Sequence, residues 1–314
     1  MGRLLTIAVA LAALALPGQA GAAEHTVPWT ADFSQQASAP DSSPVGSNDF
    51  SCEPSRRHPH PVVLVHGLAA NQTVNWSTMS PFLANRGYCV FALTYGERDS
   101  VNLPGYQPGG MLGMQESATQ LKAFVAEVLD ATDARKVDIV GHSQGSLMPN
   151  YYVRFMGGAR RVDDYVAVTP LWDGTNLAGL ATIDTIAQAL GIEGFAYDTL
   201  GPSCASCRQF LASSSFLRKM NSGGGPAEPG VDYTMIMTKN DELVQPWQSG
   251  YMDDADNLVV QDQCALDQSE HLSIIFDPIT AYDIWNALEP ASRQHEVPCV
   301  PVLPLVGAAG YSGN

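Results

Sequence analysis

Val137-Asp138-Ile139-Val140-Gly141-His142-Ser143-Gln144-Gly145 is the stretch that decides the fold of this chain. Its first four residues form a short, mostly apolar run, the pattern of a strand buried in a sheet. Gly141 to Gly145 then fits G-x-S-x-G, and Leu147 to Phe155 can continue as a helix. The pentapeptide has a mechanical meaning only between a strand and a helix. There a sharp turn lifts the serine oxygen above the sheet, and the flanking glycines let strand and helix approach without Cβ clashes. Ser143 is therefore the candidate nucleophile.

Outward from this turn the chain repeats the same kind of strand. Pro61 to Val65, Tyr88 to Leu93, Tyr165 to Val168, Tyr233 to Met237 and Leu258 to Val260 are short apolar runs. Met114 to Leu129 places Met114, Ala118, Leu121, Val125 and Val128 at three- and four-residue steps, which predicts an amphipathic helix. Ile279 to Leu288 reads as a last helix. Short buried strands separated by helices imply an α/β domain, a mostly parallel sheet with helices on both faces, over residues 61–295. Residues 171–216 form a long insertion whose apolar Leu177 to Leu190 segment need not belong to the sheet scaffold; it reads as a possible cap or lid. Residues 23–60, rich in Ser and Pro, read as an extended arm held at Cys52, and residues 296–314 as a C-terminal tail.

A serine hydroxyl is a poor nucleophile until an oriented base takes its proton. In architectures with this turn the partners follow in the order Ser, acid, His. Downstream of Ser143 the histidines are His271, just before the last helix, and His295, in a polar stretch expected to be exposed. His271 is the candidate base. Asp241 and Glu242 directly follow the Tyr233–Met237 run, and adjacent side chains in an extended loop point different ways; Asp241 is preferred as the acid. The backbone N–H groups of Gln144, after the nucleophile, and of Leu68, after the first long strand, are the candidate oxyanion donors. His66 and His142 flank the site and read as packing and hydrogen-bonding residues. Asp253, Asp254 and Asp256 form an acidic loop, ordinarily just solvated, and no metal or other cofactor is expected. Asn71-Gln72-Thr73 and Asn75-Trp76-Ser77 match a glycosylation sequon.

Composition bounds the rest. The 314 residues are 45% hydrophobic, enough for a large core, and carry 16 basic against 32 acidic residues, a net charge of −16. Such acidity argues against nucleic acid or anionic lipid headgroups as the main partner. Arg3, the uncharged run Leu4 to Leu16 and Ala20-Gly21-Ala22 read as a signal peptide over residues 1–22, so export is expected, without a transmembrane span. In an exported chain Cys52, Cys89, Cys204, Cys207, Cys264 and Cys299 suggest disulfides, whose pairing spacing alone leaves open. Cys204 and Cys207 read as a local structural bridge rather than a redox pair.

With these pieces in place the chain resembles the secreted class 2 lipases of bacteria, especially the actinobacterial type. The resemblance is carried by Val62-Val63-Leu64-Val65-His66-Gly67, Gly87 to Leu93, Val140 to Gly145, Asp241 to Pro246, and Glu270-His271-Leu272 before Phe276-Asp277-Pro278. It covers about residues 50–300 and implies an α/β-hydrolase fold and hydrolysis of acylglycerol esters at a lipid–water interface. It also implies Ser143, Asp241 and His271 as the triad and the pairs Cys52–Cys89, Cys204–Cys207 and Cys264–Cys299. Two places depart from the family pattern: Ser146 where Gly is expected, and Trp172-Asp173-Gly174-Thr175 where an Asn-His-Gly-Thr-like turn is expected, on the rim of the acyl pocket. A carboxylesterase, a polyesterase or an acyltransferase would use the same triad, and a catalytically dead binding protein would keep the fold. A monomer is expected.

Overall fold

Six short strands form one parallel sheet in the computed structural model, which describes residues 24–98, 105–176, 179, 182 and 204–313. The expected signal peptide lies outside the described residues, as does the Leu177–Leu190 segment apart from Gly179 and Thr182. The strands are β1 (Val62–Val65), β2 (Val90–Leu93), β3 (Val137–His142), β4 (Val162–Val168), β5 (Asp232–Met237) and β6 (Asp256–Val259), ordered β2-β1-β3-β4-β5-β6. Around them lie α1 (Ser34–Ser38), α2 (Gln72–Asn75), α3 (Met79–Ala84), α4 (Met114–Thr132), α5 (Gln144–Phe155), α6 (Ser215–Met220), α7 (Val260–Gln263) and α8 (Pro278–Ala287).

Period-two alternation sorts the strand residues into two cores. Val63, Val65, Phe91, Ile139, Tyr165 and Met235 face α4 and α5 on one side. Val62, Leu64, Val90, Val140, Val166 and Ile236 face α3 and α8 on the other. Both faces are therefore buried, which is why β1, β2 and β3 read as continuous apolar runs. The helix read over Met114–Leu129 extends to Thr132, and the strand read over Leu258–Val260 starts two residues earlier, at Asp256, and ends one residue earlier, because Val260 already begins α7. Asp277 starts α8 by accepting from the Ile279 N–H at 2.8 Å, with Pro278 in the first turn, where its missing N–H costs nothing.

The chain runs from β1 outward to β2, then returns to place β3 on the other side of β1. This reversal opens a crevice beyond the carboxyl ends of β1 and β3, the position at which parallel open sheets bind ligands. The loops after these two strands carry Leu68 and Ser143.

The first and last described segments are built into the structure. Thr30 pairs with Gly307, the Ala31 N–H donates to the Val306 carbonyl at 2.9 Å, and the Ala308 N–H donates to the Trp29 carbonyl at 2.7 Å. Asn48 pairs its side chain with both backbone groups of Ala92, covering part of the open edge of β2. Disulfides join Cys52 to Cys89, Cys204 to Cys207 and Cys264 to Cys299. The first fastens the arm beside β2 and the third fastens the tail to the end of α7.

At the opposite, amino end of the sheet, carboxylates crowd together. His60 Nδ1 lies 3.5 Å from Asp138 and 3.1 Å from Asp163, which also pairs with Lys136 at 2.7 Å. Burial, and then the neighbouring carboxylates of Asp138, Asp163 and Asp232, push the Asp164 carboxyl up to about 8. Asp253, Asp254 and Asp256 are exposed around the turn into β6.

Candidate active site

The turn between β3 and α5 holds Ser143 at φ 55° and ψ −123°, a region that side chains avoid. Two glycines make the turn possible. A Cβ on Gly141 would lie 2.0 Å from the Gly145 carbonyl oxygen, and one on Gly145 would lie 2.1 Å from the Val65 carbonyl oxygen. Neither gap admits a side chain, so the helix start sits directly against β1 and β3. Ser146, the departure from the family pattern, fits because its hydroxyl turns back to donate to the Ser143 carbonyl at 2.6 Å.

From the loops after β5 and α7 the fold brings in the other expected residues. Ser143 Oγ is 2.8 Å from His271 Nε2, and His271 Nδ1 is 2.8 Å and 3.0 Å from the two Asp241 oxygens. Asp241 also accepts from the N–H groups of Leu243 and Val244, so its carboxylate is held by its own loop. Glu242 points elsewhere and accepts from the His271 backbone N–H at 3.2 Å. Burial works against a charged His271 imidazole. Asp241 first, then Glu242 and Glu270, outweigh it and hold the group above its usual value.

Leu68 and Gln144 both border the same cavity. Among the described residues neither amide N–H has a protein acceptor, as expected of the first residue of α5 and of a loop left open toward the cavity. The loop after β1 is braced from beneath. Asn75 Oδ1 accepts from the Gly67 N–H at 3.0 Å and lies 3.1 Å from His142 Nδ1, while His142 Nε2 lies 2.9 Å from the His271 carbonyl oxygen. Asn75 thus braces Gly67 directly, and the single proton of a neutral His142 is offered to one of its two oxygen neighbours, Asn75 in the Leu68 region or His271 across the site.

His66 and His142 are kept neutral. Burial pushes His66 down to about 4; burial, helped by His271, pushes His142 down to about 3. His66 Nε2 accepts from the Tyr95 N–H at 3.2 Å, so Nδ1 carries the proton and donates to the Gly67 carbonyl at 2.7 Å. Neither ring is free to act as a second base.

The cavity over Ser143 and His271 has a volume of about 530 Å³, within the ordinary range for ligand pockets, and its walls are mostly apolar, among them Val74, Tyr106, Phe210, Leu272 and Ile275. A larger cavity of about 1050 Å³ lies at the amino ends of the strands, lined by Arg57, Asp138, Asp232 and Glu289. Ser143 and His271 border the smaller one and not the larger.

A family profile described as Lipase (class 2) matches residues 59–282. The chain belongs to the class 2 lipase family. Two triacylglycerol lipases, from Pseudarthrobacter phenanthrenivorans and Burkholderia plantarii, are each 38% identical over 97 residues, 29% of this chain and 27% and 24% of theirs. The chain spans about a quarter of the length of these curated relatives. Lipase B of Aspergillus fumigatus, 18% identical, superposes with a TM-score of 0.57 over 82% of this chain and 57% of its own. Mature lipase BlEst2 of Bacillus licheniformis, 17% identical, gives 0.55 over 76% of this chain and 95% of its own. Both likenesses show the α/β-hydrolase fold.

Against the family's pattern the Trp172–Thr175 turn differs from expectation. Trp172 is buried rather than on the rim, with Nε1 3.1 Å from the Met235 sulfur, and only Thr175 reaches the cavity wall. Thr175 Oγ1 donates to the Leu243 carbonyl and accepts from the Gln245 N–H, bracing the Asp241 loop. The sequons also fail as surface features. Asn71 and Asn75 are buried: Asn71 caps α2 through the Val74 N–H, and Asn75 braces Gly67. His295, expected to be exposed, is half-buried and stacks on Trp285 at 3.3 Å between ring centroids. The bracing roles of Asn75, Thr175 and Glu242 carried no signal in the sequence, since each depends on how separate loops pack against one another.

Proposed function

We propose that the chain is an exported serine hydrolase acting on acylglycerol ester bonds. One observation carries the reading: the unbroken line from Ser143 Oγ through His271 to Asp241 opens into an apolar cavity bordered by two amide N–H groups that have no protein acceptor among the described residues. His271 takes the Ser143 proton as Oγ attacks the ester carbonyl, and Asp241 holds the imidazole tautomer and stabilises the imidazolium. The Leu68 and Gln144 N–H groups receive the oxyanion; the loss of one such donor typically raises the barrier by about 2.7–4 kcal/mol. Collapse of the tetrahedral intermediate expels the alcohol, protonated by His271, and leaves an acyl ester on Ser143. Water, deprotonated by His271, attacks that ester and releases the carboxylic acid. The chain's own residues supply every proton transfer in this scheme.

The apolar walls favour a hydrocarbon acyl group. The family and the names of the two curated relatives support triacylglycerols as the substrate class. Export is supported by the signal-like residues 1–22 and three disulfides; among the described residues no helix is long and apolar enough to cross a membrane. We read residues 61–295 as the catalytic domain. Initial rates on glycerol esters from butyrate to oleate, taken below and above each solubility limit, test the function. Hydrolysis of long-chain emulsions, absent in Ser143→Ala, is expected. Activity confined to dissolved short esters would make the protein a carboxylesterase, and none at all would overturn ester hydrolysis.

A further inference from the structure

Leu305 is 64% exposed and Phe33 58%, more than any other large apolar side chain among the described residues. Apolar side chains exposed singly need no explanation. These two, however, come from opposite ends of the sequence and both wall the cavity that holds Ser143 and His271. Leu303 and Val306, also exposed, flank Leu305 on the same turn.

The way the turn is held argues that the exposure is built in. Leu303 and Gly307 exchange both backbone hydrogen bonds at 2.9 Å, closing a tight turn with Leu305 at φ 60°. That conformation favours Gly, Asn or Asp, so a leucine there bears both backbone strain and apolar exposure. The Leu305 N–H donates to the buried Glu270 carboxylate at 2.8 Å, and Glu270 also accepts from the Leu272 and Ser273 N–H groups. The turn is therefore anchored to the loop that carries His271. From the other chain end, Ala31 hydrogen-bonds to Val306 and brings Phe33 to the same rim. Gly307 admits this approach because a Cβ there would lie 2.5 Å from the Trp29 carbonyl oxygen.

We propose that Phe33 and Leu305 form a hydrocarbon-binding rim, built from the paired chain ends, that docks the cavity mouth on the surface of a neutral, water-insoluble ester phase. The inference rests on reading the cavity as the acyl site. The phase is neutral because Asp32 is exposed beside Phe33 and the whole chain carries −16, so an anionic surface is repelled.

The test is flotation of the full chain with triolein droplets, using Ser143→Ala protein so that turnover does not erode the surface. Leu305→Asn keeps a residue tolerant of the left-handed backbone, Phe33→Ser removes the other side chain, and Val45→Ser removes an exposed valine outside the cavity wall. Droplet binding is expected to weaken by about tenfold or more for each rim variant, and most for the pair. It should stay at the parental level for Val45→Ser. With Ser143 restored, the ratio of emulsion to dissolved-ester rate falls in the same order. Equal droplet binding by the rim variants and their parent overturns the rim, as does an equal loss in Val45→Ser. A wild type that cleaves dissolved esters yet does not bind droplets overturns the rim and leaves the hydrolase reading standing. A chain that binds droplets through the rim yet cleaves no ester overturns the function instead.

Discussion

Replacing Asn75 by Leu probes the brace beneath the Leu68 loop. The two side chains have the same number of heavy atoms and the same branching, Asn75 is 2% exposed, and leucine accepts no hydrogen bond. The substitution removes the acceptor of the Gly67 N–H at 3.0 Å and the partner of His142 Nδ1 at 3.1 Å. His142 keeps its 2.9 Å contact to the His271 carbonyl by placing its proton on Nε2, so the certain orphan is the buried Gly67 N–H. Leaving such a donor unpaired costs about 1–3 kcal/mol. At roughly 2–4 °C per kcal/mol for a domain of this size, the melting temperature should fall by about 2–12 °C. Gly67 directly precedes Leu68, so the donor is displaced rather than deleted. The loss in kcat should then be about 10–100-fold, below the 10²–10³ of a removed donor. Differential scanning fluorimetry and initial rates on dissolved p-nitrophenyl butyrate read both quantities, with KM expected near the wild-type value. Wild-type kcat together with a lowered melting temperature would make Asn75 purely structural and refute the link to the oxyanion loop.

Three further outcomes follow from charges near the site and at the far end of the sheet. Asp241→Asn should lower kcat by about 10⁴, because an amide favours the wrong imidazole tautomer. Glu242→Gln, which keeps an acceptor for the His271 N–H, should cost far less; the reverse ranking would move the acid by one residue. Glu242 also helps hold the His271 imidazole above its usual value. The rising limb of kcat/KM against pH should thus lie above that value and shift downward in Glu242→Gln, and an upward shift would contradict the assignment. Burial holds Asp164 up at about 8 and Asp283 at about 7, so near neutral pH the folded chain keeps protons that the unfolded chain releases. His60 is also raised: burial opposes its charge, but Asp138 prevails, and its contribution fades as pH rises through its folded value. Thermal stability should therefore fall from pH 7 to 8.5, and Asp164→Asn should flatten that slope. A rise over this interval in the wild type would contradict the account.

The sheet was readable because parallel strands buried on both faces leave continuous apolar runs: Val62–Val65 and Val137–Val140 needed no tertiary information. Ser143 was readable because its turn demands glycine at 141 and 145 for steric reasons that the sequence displays directly. The end of β6 was not, since Val260 is as apolar in the first turn of a helix as in a strand. Nor was the choice between Asp241 and Glu242 settled by sequence, because the direction of a loop side chain depends on what the loop packs against, here the N–H groups of Leu243 and Val244. Asn75 misled for a related reason: a sequon records residue types, while burial is decided by the loop folding over it. The roles of Phe33 and Leu305 arise from the pairing of two chain ends nearly the whole sequence apart, which no local pattern encodes.

The central claim is that Ser143 forms an acyl-enzyme, and covalent labelling tests it most directly. Incubation with an alkyl p-nitrophenyl phosphonate, followed by intact-mass measurement and peptide mapping, should show one adduct per chain, on the peptide containing Ser143. Labelling should proceed in step with loss of ester hydrolysis and be absent in Ser143→Ala. An actively hydrolysing protein that takes no label, or takes it at another residue, would contradict the account.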